Sequence, residues 1–350
     1  MLRRKTAIRA GLETLYYSGV HHVARQFFAG AGAILPFHRV RPARADAFQP
    51  NRLLEITPEF LDEVLGALRS GGIDIVPIDQ VRGRLVGRSP RRFVALTFDD
   101  GYRDNLEFAW PVLKRHEAPF AIYATSAFAD GRGELWWLAL EKAIARHEAI
   151  EVSIDGIERV FDCSTPEAKE ESFRALHGIL ISCASEAELR RIVGEIAFGY
   201  GIDMAAQCRE ACMDWDELAT LAADPLVTVG AHTATHAILS KLPADEARAE
   251  MVDGARAIAE KLGRAPVDFA YPVGGANAAG QREFALAAEA GFQTAVTTRP
   301  GVLFAAHARH MTALPRISVN GEFQRLRYLD VLLSGAATAL VNGFRRIDAA

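Results

Sequence analysis

The chain has 350 residues, half of them hydrophobic and 24% charged, with a formal net charge of -4 at pH 7. This length and composition are typical of a globular protein with a large core, built as one α/β barrel or as two domains. No basic stripe dominates the sequence, so we predict no nucleic-acid partner. The four cysteines are scattered and suggest no disulfide framework, which favours a reducing compartment.

Residues 1–32 are predicted to form an N-terminal helical extension. Its start carries the basic residues Arg3, Arg4, Lys5 and Arg9. No continuous apolar segment follows them, so we predict neither a secretory signal nor a transmembrane helix. We therefore expect a cytoplasmic protein. A basic amphipathic start is also typical of helices that contact a membrane surface, and the alternative is a helix packed on the domain.

Short apolar runs alternate with amphipathic stretches in the first third of the chain. Thr57 and Pro58 have the residue types of an N-cap and a first helical position, and Gly71 marks the end of that helix. In chain order we predict strand 33–38, the helix after Thr57, strand 73–78, strand 93–98, helix 104–115 and strand 120–125.

The alternation stops at an inserted, mostly helical segment, residues 129–212. Here we predict helix 134–147, a hairpin over 151–161 that turns at Asp155-Gly156, and helices from residue 165 to 220. The alternation then resumes with strand 226–230, helix 244–262, strand 267–271, helix 281–290, strand 293–297 and strand 314–319. Strands that alternate with helices predict an α/β fold with a parallel sheet, whose functional residues follow the strand ends.

Two polar motifs follow predicted strands. Leu-Thr-Phe-Asp-Asp-Gly places Asp99 beside Asp100, and Gly-Ala-His-Thr-Ala-Thr-His places His232 four residues before His236. Adjacent strand side chains point to opposite faces, so both aspartates line one site only if the chain turns, which Gly101 permits. Histidines at this spacing share one face of a helical turn. The alternatives are a solvated turn and chance surface histidines. Together the motifs predict a three-ligand metal site with a spare carboxylate, as in a hydrolase.

The combination of these motifs resembles the polysaccharide deacetylases of the NodB-homology class, carbohydrate esterase family 4, over residues 33–130 and 213–320. The resemblance implies a distorted, TIM-like (β/α) barrel of about seven strands. It also implies removal of acetyl groups from N-acetylated sugars with a divalent metal, usually zinc. We accordingly predict a barrel formed by residues 33–128 and 213–335, and a C-terminal tail over 336–350.

The resemblance also implies roles for individual residues. Asp99 would be the general base, and the metal ligands would be Asp100, His232 and His236. Metal-bound water would attack the acetamide while Asp99 takes its proton. The hydroxyl of Thr233 would orient the histidine loop by hydrogen bonding.

The third motif of the family, Arg-x-Pro-Tyr-Gly, is only partly kept. In Phe-Ala-Tyr-Pro-Val-Gly-Gly, Pro272 and Gly274 match, whereas the arginine and the tyrosine do not. The backbone N–H of Val273 is predicted to donate to the oxyanion, because that role does not depend on a side chain. Arg316 or Arg39 is predicted to replace the arginine that steers the base, with a structural ion pair as the alternative for Arg316.

The histidine that serves the family as general acid late in the chain is also missing. We predict that His38 replaces it, in preference to His307 and His310, because one branch of the family places such a histidine near its N-terminus. The predicted substrate contacts are Tyr271, Pro272 and Trp215, with core packing as the alternative for Trp215. Trp136 and Trp137, which open the insertion, are predicted to pack between helices rather than to line the groove.

These observations predict a metal-dependent hydrolase that removes N-acetyl groups from an oligo- or polysaccharide containing N-acetylglucosamine. Its partner would be the acetylated glycan, and its cofactor a divalent metal, zinc by preference. Two alternatives remain open because they fit the same motifs. One is an O-acetyl esterase, or an amidase acting on another small amide. The other is a catalytically inactive carbohydrate-binding protein.

Overall fold

A computed structural model of the chain describes residues 2–87 and 91–346. The strands are β1 Gly32–Phe37, β2 Arg39–Val40, β3 Glu55–Ile56, β4 Asp74–Ile75, β5 Phe93–Phe98, β6 Phe120–Ala124, β7 Ala149–Ile154, β8 Ile157–Asp162, β9 Val227–Ala231, β10 Asp268–Ala270, β11 Thr294–Pro300 and β12 Leu314–Arg316. The helices are α1 Leu2–Tyr17, α2 Val20–Phe28, α3 Pro58–Ser70, α4 Val81–Val86, α5 Trp110–Arg115, α6 Ser126–Ala129, α7 Trp136–Arg146, α8 Pro166–Ser182, α9 Glu186–Gly199, α10 Met204–Ala211, α11 Trp215–Ala222, α12 Ala244–Leu262, α13 Gln281–Glu289, α14 Leu326–Leu333 and α15 Ala336–Val341.

A parallel sheet forms the centre of the molecule, in the order β1-β5-β6-β9-β10-β11-β12, with β4 paired to β5. The first and last strands approach each other, and the N–H of Ile317 donates to the carbonyl of Ile34 at 2.9 Å. The sheet is therefore a nearly closed barrel, and the predicted α/β barrel of about seven strands is confirmed.

The central strands are continuous apolar runs in the sequence because both of their faces are buried. In β5, Val94, Leu96 and Phe98 pack in the layer between the sheet and the outer helices. Phe93 and Ala95 point into the barrel interior. Two-sided burial of this kind is typical of parallel sheets. The alternation also fixes the direction of Asp99, which continues the inward face of this strand just beyond its last residue.

Two predicted strands are shorter than expected. The segment predicted as strand 73–78 forms only β4, and its pairing with β5 ends with the bond from the N–H of Val76 to the carbonyl of Val94. The next N–H in this alternation belongs to Ile78, where the chain turns into a short 3₁₀ helix, Ile78–Gln80, instead of continuing the strand. The segment predicted as strand 314–319 stops at Arg316, beyond which the chain crosses to β1.

The inserted segment has its own hydrophobic core, formed by α7, α8, α9 and the β7–β8 hairpin. The hairpin turns at Asp155 and Gly156, as predicted, and both residues have positive φ, at 54° and 74°. Such a turn matches the twist of the two strands. Trp136 and Trp137 are buried in this core, so their predicted packing is also observed.

The two ends of the described chain pack against each other beside the barrel. Leu12 of α1 packs with Tyr328 and Val331 of α14. The segment predicted as a C-terminal tail begins with α15, while residue 1 and residues 347–350 lie outside the described part. Among the described helices, none combines the length and apolar character needed to cross a bilayer.

Candidate metal and catalytic centre

The two aspartates lie where β5 ends, and they are held by different partners. Asp99 is 2% exposed and Asp100 is 3% exposed. Asp100 has a φ of 72°, a left-handed conformation that aspartate adopts more readily than most residues. The chain therefore turns between the two side chains, so both can face the barrel mouth instead of opposite faces of the sheet.

The two histidines come from the loop after β9, which hydrogen bonds hold in a strained conformation. Thr233 and His236 have φ values of 67° and 64°, unusual for a β-branched residue in particular. The N–H of His236 donates to Oγ1 of Thr233 at 2.9 Å. Thr233 thus makes the hydrogen bond predicted for it. Helix α12 lies so close that a Cβ on Gly254 would meet the carbonyl carbon of Thr233 at 2.5 Å.

The three predicted metal ligands meet in one buried cluster. Oδ1 of Asp100 lies 3.2 Å from Nε2 of His232 and 3.2 Å from Nε2 of His236. Nδ1 of His232 lies 2.7 Å from the carbonyl of Ala270, a contact that assigns its proton to Nδ1 and leaves the lone pair of Nε2 facing Asp100. Oδ1 of Asp100 has no hydrogen-bond partner among the described residues. This buried, unsatisfied oxygen between two imidazole nitrogens fits a divalent cation.

Asp99 is turned away from that cluster by Arg316. Nη1 of Arg316 donates to Oδ1 of Asp99 at 2.8 Å, and Nη2 donates to Oδ2 at 2.6 Å. Nε of the same guanidinium donates to the carbonyl of Thr297 at 2.7 Å. Arg316 is itself 1% exposed, so this is a buried, bidentate ion pair with fixed geometry. Both oxygens of Asp99 are oriented, and neither belongs to the metal cluster.

The charges of this centre shift the pKa values of its groups. Burial opposes ionisation of Asp99, but Arg316 outweighs it and holds the pKa of that carboxyl below its ordinary value. Burial likewise opposes ionisation of Asp100, but its close contacts with His232 and His236 hold the pKa of this carboxyl well below its ordinary value. Burial lowers the pKa of His236, which keeps this imidazole neutral and able to act as a ligand.

His38 lies at the end of β1, beside Asp99. Its Nε2 is 3.8 Å from Oδ2 of Asp99, and a quarter of its side chain is exposed. Nδ2 of Asn105 donates to the carbonyl of His38 at 3.0 Å and fixes the backbone there. The centre therefore has a third, partly exposed imidazole besides those of His232 and His236.

The comparisons with known proteins decide the family. The family model for polysaccharide deacetylases matches residues 87–160 and 186–295, slightly more than half of the chain. The chain belongs to the polysaccharide deacetylase family. The predicted family and the predicted enzyme class, a polysaccharide deacetylase hydrolase, are thereby confirmed. Among curated proteins, none matches the chain.

Solved deacetylase structures share the fold of this family member. The Streptococcus pyogenes deacetylase PplD in complex with acetate aligns with a TM-score of 0.56 at 17% identity, over 86% of this chain and 97% of that one. IcaB from Ammonifex degensii aligns with a TM-score of 0.53 at 17% identity, over 87% and 97%. A de-N-acetylase from Aggregatibacter actinomycetemcomitans aligns with a TM-score of 0.52 at 14% identity, over 86% and 99%. At these identities the similarity concerns the fold.

The other predicted candidates for the steering arginine and the acid lie elsewhere. Arg39 pairs with Asp104 at 2.7 Å, so it does not contact Asp99. His307 is buried, and its Nδ1 lies 3.0 Å from the N–H of Phe304, while His310 follows it in the same segment. That segment follows Leu303, which pairs with Gly32 at the start of β1, whereas His38 and Asp99 lie at the opposite ends of β1 and β5.

In the third motif, Val273 is accessible to solvent, whereas the side chain of Tyr271 is buried. Val273 is partly exposed in a left-handed conformation, with a φ of 62°, and its carbonyl accepts from Oγ1 of Thr298 at 2.6 Å. Pro272 is buried next to it. Tyr271 is 1% exposed and packs in the layer outside the sheet, and its hydroxyl donates to the carbonyl of Thr312 at 2.8 Å. The prediction that Tyr271 contacts substrate is wrong, because its side chain belongs to the core.

Trp215 is the first residue of α11 and is half-buried. Its ring packs against the outer layer of the core, and its Nε1 donates to Oδ1 of Asp130 at 2.8 Å. None of its described contacts joins it to Asp99 or to the metal cluster. Its predicted contact with sugar stays a prediction.

The sequence analysis missed the aromatic wall that surrounds His236. The ring of Trp137 lies 4.9 Å from the ring of His236, and Phe128 stacks on it at 5.5 Å. Nε1 of Trp137 donates to Oη of Tyr102 at 2.9 Å, which ties the insertion to the turn after the aspartates. No local sequence pattern indicates the contact between Trp137 and His236. In the sequence Trp137 has the position of an ordinary helix-packing residue, and it contacts His236 only in the folded chain.

Proposed function

We propose that this chain is a metal-dependent N-deacetylase that acts on an oligo- or polysaccharide containing N-acetylglucosamine. The proposal rests on the different contacts that two neighbouring carboxylates make. Asp100 faces two imidazoles and has an unsatisfied oxygen, whereas Asp99 is held by Arg316. One carboxylate is thus available as a ligand and the other as a base.

Asp100, His232 and His236 would hold the cofactor, for which we propose zinc. Two imidazole nitrogens and one carboxylate oxygen are a common zinc donor set, although other divalent ions also bind such sites. When bound, the ion supplies Lewis-acid polarisation of the acyl oxygen and lowers the pKa of water.

The chain's own residues would handle the protons. Asp99 is ionised and oriented, so an oxygen of this carboxylate is proposed to take the proton of the attacking water. His38 is proposed to give a proton from Nε2 to the leaving amine nitrogen. The N–H of Val273 is proposed to donate to the oxyanion, because it lies on a loop that Thr298 holds in place.

Acetate release from N-acetylglucosamine oligomers by the zinc-loaded protein tests this proposal. Asp99→Asn keeps the shape of the side chain and removes its basicity, so turnover should fall by about 10²–10⁴-fold. Metal content should be unchanged, because Asp99 is not in the metal cluster. An O-acetylated sugar assayed in parallel separates the esterase alternative.

The outcomes are distinct. Release from the N-acetylated oligomers by the wild type, and not by the variant, supports the deacetylase and its base. Release from the O-acetylated sugar alone would replace the proposal by an esterase. Binding of metal and oligomer with no release from either substrate would indicate the inactive binding protein.

A further inference from the structure

Two short helices expose an apolar surface that no described residue covers. This surface, called the base patch, consists of Tyr17, Val20, Val23, Phe27, Leu340, Val341 and Phe344. The members are between 50% and 73% exposed, and they are seven of the 15 large hydrophobic side chains that the described residues expose. Almost half of the exposed apolar side chains therefore lie on α2, α15 and the residues next to them.

The apolar side of α2 faces outward, which is unusual for a surface helix. Val20, Val23 and Phe27 share one side of the helix at spacings of three and four, and all are exposed. His21, on the opposite side, is 1% exposed, and Arg25 on that side pairs with Asp330 of α14. The helix thus buries His21 against the protein and exposes Val20, Val23 and Phe27, with the polar side chains of His22 and Gln26 exposed beside them.

Tight contacts join α2 to the segment around α15 and make the patch continuous. The rings of Phe28 and Phe344 lie 5.8 Å apart. A Cβ on Gly335 would meet the carbonyl carbon of Phe28 at 2.5 Å, so the two segments approach as closely as glycine allows. Nη2 of Arg346 donates to the carbonyl of Phe27 at 3.4 Å. The patch is therefore one rigid surface and not two separate helix faces.

The charges around the base patch are positive. Residues 14–28 and 336–346 contain neither aspartate nor glutamate, and of their arginines Arg25 is paired with Asp330, which leaves Arg345 and Arg346 as the basic residues at the patch; Asp348 follows them in the sequence. Arg345 and Arg346 form no ion pair with a carboxylate of the described residues. Basic side chains that rim an apolar surface favour an anionic lipid headgroup region.

We propose that the base patch docks onto an anionic lipid bilayer. Its apolar side chains enter the boundary between headgroups and acyl chains, while Arg345 and Arg346 approach the lipid phosphates. A second copy of the chain fits less well, because self-association through this patch brings two arginine rims together, and like charges oppose it. The proposal does not depend on the proposed substrate.

The location of the base patch also sets the orientation of the enzyme. Helix α2 leads into the start of β1, and Arg92, just before β5, donates to the carbonyls of Ala29 and Leu333. His38 and Asp99 lie beyond the opposite ends of β1 and β5. A strand of this length spans about 20 Å. Docking therefore leaves the barrel mouth facing away from the lipid, where a glycan chain can enter it.

Vesicle co-sedimentation of the full chain tests the proposal. We expect binding to vesicles that contain phosphatidylglycerol, weaker binding in high salt, and little binding to phosphatidylcholine alone. The variant Val23→Glu/Phe27→Glu should reduce partitioning about tenfold or more, because two apolar side chains that enter the lipid are replaced by carboxylates. Phe198→Glu is the matched control, since Phe198 is 92% exposed on the insertion and lies outside the patch.

Circular dichroism and acetate release check that each variant is folded, because none of these residues lies in the candidate centre. Equal binding of the wild type and the double variant to anionic vesicles would overturn the proposal. So would failure of the wild type to bind them at all. A dimer in lipid-free light scattering that the double variant abolishes, with no vesicle binding, would assign the patch to a second copy instead.

Discussion

Two clusters of two histidines and one aspartate exist in the described chain, and their difference shows what a metal site needs beyond proximity. One is Asp100 with His232 and His236 at the barrel mouth, and the other is His21 and His22 of α2 with Asp330 of α14. The first is buried throughout. In the second, His22 is exposed and Asp330 keeps 40% of its side chain in solvent.

The clusters also differ in whether the aspartate forms an ion pair with an arginine. Arg25 donates to Asp330 at 2.5 Å and neutralises it. Among the described residues no arginine forms an ion pair with Asp100, and the guanidinium of Arg316 pairs with Asp99. A carboxylate left with imidazole nitrogens alone attracts a cation, whereas one already paired does not. We therefore propose the metal site at the mouth cluster and interpret the cluster at α2 as a structural contact.

The largest effect is expected from removing one histidine of each cluster. His232→Ala should abolish acetate release and weaken zinc binding by more than the about 10–100-fold that loss of an outer-shell partner costs. His21→Ala, the matched control, should leave zinc content unchanged. Zinc is measured by mass spectrometry after dialysis. Two zinc ions per chain in the wild type, reduced to one by His21→Ala, would show that the cluster at α2 also binds zinc and would contradict our interpretation of it as a structural contact.

The arginines that pair with the two aspartates should differ in their effect on stability. Arg316→Gln leaves Asp99 buried without its partner, so the free energy of unfolding should fall by about 3–5 kcal/mol. Arg25→Gln removes a half-exposed pair and should cost about 0–1 kcal/mol. Urea unfolding at pH 7 measures both. Similar losses for the two variants would mean that burial does not distinguish these pairs.

The variants Arg316→Gln and Arg25→Gln should also differ in how their activity depends on pH in the acid range. Arg316 keeps the folded pKa of Asp99 below its unfolded value, so the pair stabilises the protein above the unfolded pKa. That contribution is lost as the pH falls through the lower folded pKa. In Arg316→Gln the pKa of Asp99 rises, so the acid limb of the kcat/KM profile should move to higher pH. Arg25→Gln should leave this limb in place, and a shift in both variants would refute the assignment.

The smallest effect is expected from the aromatic wall of Trp137 and Phe128 against His236, whereas in the cluster at α2 the ring of Tyr16 stacks on His21. Trp137→Phe removes the hydrogen bond to Tyr102 and thins the packing against His236, so unfolding should become easier by about 1 kcal/mol. Zinc affinity should fall modestly. Trp136→Phe is the control, because Trp136 does not contact His236. Unaltered zinc affinity in Trp137→Phe would show that the wall does not orient the ligand.

The sequence predicted those parts of the fold and site that depend on local pattern. β5 was predictable because burial on both faces produces an apolar run, and the glycine after Asp100 signals a turn. The strand predicted over 73–78 was too long because the chain turns into a 3₁₀ helix at Ile78. Tyr271 illustrates another limit. A tyrosine before a proline fits a groove or a core equally well, and only its place behind β10 decides for the core.

Long-range contacts could not be predicted in the same way. Arg316 was predicted to steer Asp99, with Arg39 as the alternative, because the sequence around each arginine carries no information on the closure of the barrel. The register of β11 and β12 places Arg316 beneath Asp99, while the loop after β5 supplies Asp104 to Arg39. Trp137 was missed for the same reason.

The ion pair between Arg316 and Asp99 also has a consequence for how the enzyme matures. Arg316 ends the last strand of the sheet and lies 217 positions beyond Asp99 in the chain. A nascent chain of 300 residues already contains every proposed metal ligand and the base, but not the group that aligns the base. Closing so long a loop is a slow step in folding. We therefore expect recovery of activity during refolding to follow closure of the seam between β1 and β12, and recovery of metal binding to precede it.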